Sequence, residues 1–146
     1  KGNRIWSAAT ITEKLELKNI AFIRDQIDKI DEYFLPEEIS ELWITFADPF
    51  PRKSDHKRRL TSSKFLPIYK KILKKEATIH LKTDSDLLYE YTKEVLAEYP
   101  SEILKDYTDV YALQKNEELY NIQKRATLYS CPFFGILIAT ILILHF

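Results

Sequence analysis

Glycine is almost missing from this chain, with Gly2 and Gly135 the only two in 146 residues. A nucleotide-cofactor domain ordinarily needs a glycine-rich turn from strand to helix, where the backbone closes on a phosphate. No such turn is present. Cysteine occurs once, as Cys131, which excludes an intrachain disulfide and fits a reducing, cytoplasmic compartment. His56, His80 and His145 are scattered without ligand spacing, so no structural metal is expected. No secretory signal opens the chain, and its start at Lys-Gly-Asn-Arg, without methionine, suggests that it begins partway through a longer protein.

What is present is a globular composition, 45% hydrophobic and 30% charged, at a length that suits one domain with a real core. A net charge of zero hides a strong asymmetry. Between Arg52 and Lys75 ten Lys/Arg face one acid, Asp55, whereas between Asp84 and Glu118 ten acids face three lysines. A neutral total can therefore still carry a basic face suited to a polyanion.

The chain is organised around Leu42 to Leu60. Leu42 to Phe46 is a run of strand-favouring residues, apolar but for Thr45, as expected of a strand buried on both faces. Asp48 follows between Ala47 and Pro49, and then Arg52, Lys53, Lys57, Arg58 and Arg59 form a cationic loop. Charge runs are usually just solvated. A rigid acid at the end of a buried strand, however, lies where open α/β sheets place ligands, and the basic loop after it suits a phosphate backbone.

Along the chain, residues 4 to 15 carry a helical pattern, and Asn19 to Arg24 reads as a short strand with Asp25 at its end. Ile27, Ile30 and Phe34 recur at helical spacing until Pro36. Phe65, Leu66, Tyr69, Ile72 and Leu73 form an apolar stripe that predicts a helix, capped from Thr61, Ser62 or Ser63. Pro67 requires that this helix begin near Lys64 or be kinked. Thr78 to Thr83 predicts a strand ending at Asp84, then a helix capped by Ser85 or Asp86, then a strand over Glu102 to Tyr107. Alternating strands and helices imply right-handed crossovers and a mostly parallel sheet. Asp25, Asp48 and Asp84 would then line one edge. A single such acid is usually a cap or turn residue, but three beside a cationic loop read as a site.

The end is different. Phe133 to Phe146 is apolar with no charge, and counted back to Leu128 it reaches 19 residues, near a bilayer span. A tail anchor, a buried final strand and an out-of-frame ending are all open, with membrane association the less favoured. The organisation expected is residues 1–123 as the C-terminal part of a catalytic domain and 124–146 as an atypical apolar tail.

The string FADPFPRKSDHKRRL followed by HLKTD closely resembles the bacterial transfer-RNA (guanine-N7-)-methyltransferase family. That family's core reads F-P-D-P-W-x-K, a basic run ending K-R-R, and a later T-D. Here these are Phe46-Ala47-Asp48-Pro49-Phe50-Pro51-Arg52, Lys57-Arg58-Arg59 and Thr83-Asp84. The resemblance implies a Rossmann-like class I methyltransferase sheet, incomplete at its N-terminal end, S-adenosylmethionine as cofactor, and methylation of a guanine in the transfer-RNA variable loop. It implies a catalytic, cofactor-contacting role for Asp48 and cofactor binding by Asp25. Arg52 and Asp84 would bind substrate, and Ser54, Asp55, His56, Lys57, Arg58 and Arg59 would contact RNA. The family's glycine-rich cofactor loop has no counterpart among these residues. The alternative is a catalytically inactive RNA-binding remnant that keeps the basic loop.

Overall fold

The computed structural model describes residues 2–108 and 140–145. The expected domain boundary at 123/124 lies outside them. Strand β1 (Ile39–Thr45) runs parallel to β2 (Leu73–Thr83), with Leu42 opposite Ile79 and Ile44 opposite Leu81. Strand β4 (Thr140–His145) lies antiparallel between β2 and β3 (Glu102–Tyr107), giving the order β1-β2-β4-β3. The fold is α/β, but the mostly parallel sheet expected from sequence becomes a mixed one. Strands β1, β2 and β3 all point one way, joined through helices α3 (Leu66–Ile72) and α4 (Asp86–Ala97). Helical alternation constrains only strands joined in that manner. The inserted β4 was free to reverse.

Beneath one sheet face, Ile44, Ile79 and Leu81 pack with Phe65, Leu66 and Tyr69 around α3 and with Leu88 and Leu96 of α4. Pro67 falls in the first turn of α3, where its missing N–H leaves no intrahelical bond unmade. No side chain caps that helix; the Ser62 carbonyl accepts from the amides of Phe65 and Leu66 instead. The hydroxyl of Ser85 does cap α4, accepting from the Leu88 amide at 3.3 Å.

The N-terminal segment forms helix α1 (Gly2–Lys14), then coil, a 3-10 turn over Ile27–Lys29, and the short helix α2 (Ile30–Tyr33). Asn19 to Arg24 is not a strand, contrary to the sequence reading. A strand needs a backbone neighbour to take its N–H and C=O groups, and no ladder partner occurs here among the described residues. Ile20, Phe22 and Ile23 are exposed.

The scarcity of glycine has a structural consequence. Five non-glycine residues, Glu16, Glu37, Phe46, Phe50 and Glu76, take positive φ. Glu16 ends α1 at the position that glycine usually fills, with the Leu17 amide bonded back to the Thr12 carbonyl. Glu76 lies where β2 slips against β1, since Ile39 faces Leu73 but Glu41 already faces Thr78. The other strained pair flanks Asp48.

Candidate functional site

Thr45 of β1 stands opposite Lys82 of β2, so the residues that follow both strands emerge at the same edge of the sheet. The Phe46 amide extends the ladder by one bond, to the Lys82 carbonyl at 2.8 Å. There the chain turns sharply, with φ of 49° at Phe46 and 43° at Phe50. For bulky side chains this left-handed conformation costs about 1–2 kcal/mol per residue, and such strain collects at functional sites. Asp48 is exposed at the apex, and its Oδ1 accepts from the Phe50 amide at 3.1 Å. The acid is thus held by two strained aromatics, the ring of Pro49 and its own turn bond, with Oδ2 outside that turn bond.

Asp84 is exposed just past β2. Its neighbours are fixed on both sides, because the Thr83 hydroxyl accepts from the Ser85 amide at 3.1 Å and Ser85 caps α4. Asp48 and Asp84 therefore do share the edge that the sequence suggested. Asp25 does not follow a strand, so the row of three strand-end acids becomes two.

Asp25 is held elsewhere, ahead of the 3-10 turn. It accepts from the Tyr33 hydroxyl and the Gln26 amide, with Lys29 at 3.7 Å. The Tyr33 hydrogen bond, then the Gln26 amide, hold its carboxyl below the usual range, and the same contact raises the Tyr33 phenol. Replacing Tyr33 with phenylalanine should raise the Asp25 pKa; carboxyl titration by NMR checks this, and an unchanged value would assign the depression to Gln26 and Lys29 alone. Ile27 and Ile30 anchor this segment against the core, and Asp28–Lys64 at 2.8 Å and Asp31–Lys71 at 2.9 Å tie it to the α3 region.

The basic loop is a 3-10 helix, Lys53–Arg58, entered from the exposed Arg52. Its period of three aligns residues i and i+3. Arg58 accordingly pairs with Asp55 at 3.6 Å, and His56 Nδ1 meets the Lys53 carbonyl at 2.7 Å. Ser54, His56, Lys57 and Arg58 are exposed, Asp55 is half-buried, and the Arg58 guanidinium lies 4.4 Å from the centroid of the Phe50 ring. Arg59, predicted from sequence to join the RNA contacts, is buried. Its Nε donates to the Pro49 carbonyl at 2.9 Å and its Nη2 to the Phe50 carbonyl at 3.1 Å, with the Tyr91 ring centroid 4.2 Å away.

Four participants were missed in the sequence. Tyr91 of α4 lies under Arg59 and donates to the His56 carbonyl at 3.4 Å. Thr61 and Thr92 join their hydroxyls at 2.7 Å in the core and tie the end of the basic loop to α4. Lys82 is buried with its ammonium 5.4 Å from the Phe46 centroid, and desolvation lowers its pKa. A signal for Lys82 existed: His80 and Lys82 alternate with the apolar Ile79 and Leu81, so both occupy one face of a central strand. No group of three or more His, Cys, Asp or Glu able to hold a metal occurs among the described residues. No helix among them is long and apolar enough to cross a membrane.

Comparison with known proteins adds a family. A model described as "Putative methyltransferase" matches residues 2–129. The tRNA (guanine-N(7)-)-methyltransferase of Bacteroides thetaiotaomicron is 45% identical over 93 residues, 64% of this chain and 36% of that protein. The protein of the same name from Christiangramia forsetii is 46% identical over 92 residues, 63% of this chain and 41% of its own length. That from Staphylococcus epidermidis is 41% identical over 83 residues, covering 57% and 39%. The chain thus spans well under half the length of the curated relatives it matches.

Proposed function

We propose, on the premise that the chain belongs to the methyltransferase family matched over residues 2–129, that it supplies the substrate-side half of a Rossmann-like site that methylates guanine N7 in transfer RNA. Residues 1–123 form the later part of that domain in this reading, with the variable-loop guanine as target. The observation that carries it is Asp48, held at a strand end between two strained phenylalanines and followed at once by an exposed cationic helix.

The residues present fit S-adenosylmethionine in part. Asp25 has both oxygens engaged, yet a carboxylate offers about four acceptor sites, so it can still take an adenine amino group. The exposed side chains of Phe22 and Ile23 nearby in sequence suit a flat ring. The cofactor, when bound, supplies a methyl group on a cationic sulfur. Guanine N7 already presents a lone pair, so no side chain needs to remove a proton before the bond forms. Positive charge instead develops on the purine ring. Asp48, with Oδ2 outside its turn bond, faces that charge as a preorganised anion, and the work is electrostatic and positional. Asp84 accepts from the guanine N1–H and exocyclic amine. Arg52, Ser54, Asp55, His56, Lys57 and Arg58 lie along the RNA backbone, with the cations supplying salt-dependent affinity.

The test is methyl transfer from labelled S-adenosylmethionine to unmodified transfer RNA. An N7-methylguanine is cationic and prone to ring opening, so borohydride and aniline should cut the product chain at a single position. Label that gives no such cut would reject N7 as the target. Transfer-RNA binding without any cofactor binding in calorimetry would favour the inactive remnant.

A further inference from the structure

We infer that Arg59 is a positioning residue that latches the Asp48 turn to α4, rather than a contact for the RNA backbone. The inference rests on the proposed function only for the role it gives Asp48. Among the cations of the basic segment, Arg59 differs from its neighbours. Arg52, Lys53, Lys57 and Arg58 are exposed, whereas Arg59 is only 6% exposed. Its guanidinium is already committed. Two N–H groups reach the successive carbonyls of Pro49 and Phe50, and its face lies on Tyr91.

The commitment has a physical use. The Asp48 turn places Phe50 at positive φ, a conformation that survives only where its surroundings over-determine it. Phe50 gives its amide to Asp48 and its carbonyl to Arg59, so one peptide on each side of the strained residue is tied. A planar fork reading two adjacent carbonyls sets the direction of that segment as a single point charge cannot. Tyr91, through its ring under Arg59 and its hydroxyl on the His56 carbonyl, carries the restraint into α4. The helix that follows Asp84 thereby also fixes Asp48, so the two acids share one frame.

Arginine-to-lysine exchange separates the two roles, because a phosphate contact tolerates lysine and a fork does not. The measurements are backbone relaxation at the Phe50 amide and transfer-RNA affinity against salt, for the whole protein and for Arg59→Lys, Arg59→Met and Tyr91→Leu. A latch predicts that the Phe50 order parameter drops from about 0.85 to below about 0.6 in both Arg59 variants and falls partway in Tyr91→Leu. It also predicts an unchanged slope of log affinity against log salt, with kcat for methyl transfer down about 100-fold and KM for transfer RNA unaltered. An RNA contact predicts a rigid Phe50 throughout, full binding by Arg59→Lys, and a slope smaller by about 1 in Arg59→Met. That result would overturn the latch. If Arg59→Met does not fold, Tyr91→Leu decides, since a Phe50 unchanged there also overturns it. If the protein binds no transfer RNA, the proposed function fails while the Phe50 measurement still settles the latch.

Discussion

Replacing Asp48 with asparagine should lower kcat for methyl transfer by about 100- to 1,000-fold, the range found when one preorganised electrostatic group is removed from an active site. Asparagine is the informative change because its amide oxygen can still accept the Phe50 N–H at the position of Oδ1, so the turn survives and only the negative charge is lost. Alanine would remove the turn bond as well, leaving Phe46 and Phe50 to relax from positive φ, and geometry would be lost together with charge. Transfer-RNA affinity should stay near its original value in the asparagine variant, because the exposed cations of Lys53–Arg58 are untouched. Single-turnover methylation at saturating substrate isolates the chemical step. A loss smaller than about threefold, under 1 kcal/mol, would mean that Asp48 contributes no transition-state charge stabilisation.

Leu88→Ala should destabilise the fold by about 2–5 kcal/mol, the span measured for burying a cavity in place of a leucine side chain. Leu88 has no exposed surface, packs in the central cluster, and lies in the first turn of α4 beside the Ser85 cap. The surroundings have little freedom to collapse into the gap. Thr92, one turn further on, donates to the Leu88 carbonyl at 2.6 Å and meets Thr61 in a buried contact, which pins the helix on that side. Urea denaturation checks the size of the effect, and an unchanged slope would show that the folded state keeps its extent. A loss below about 1 kcal/mol would place Leu88 at a site that repacks. Tyr91 rides on the same helix, so the stability of α4 and the order of the Asp48 turn should fall together.

The sequence carried the strand before Asp48, the strand before Asp84, the capped helix after it and the strand over Glu102 to Tyr107, because each is a local pattern of period or capping. It misread Asn19 to Arg24, where the apolar run suits a strand but no neighbouring backbone completes it. It did not specify where the apolar end goes, since Thr140–His145 acquires its place only by pairing with both β2 and β3. The basic run was plain as charge, yet sequence could not separate Arg59 from Arg58. Their side chains are chemically identical, and the difference is a ring on α4 and two carbonyls nine and ten residues back.

Alone, then, the residue order determined the chemistry on offer: an acid between Ala47 and Pro49, a dense cationic run after it, a second acid behind Thr83, and almost no glycine. Tertiary structure decided the assignment of those groups. It brought Asp48 and Asp84 to one edge, left Asp25 outside the row, pushed Phe46 and Phe50 into a strained turn, and withdrew Arg59 from solvent to hold that turn. Residue type and spacing act over a few positions, whereas burial and hydrogen-bond pairing depend on which distant segments meet. The Asp48 turn owes its shape to such meetings.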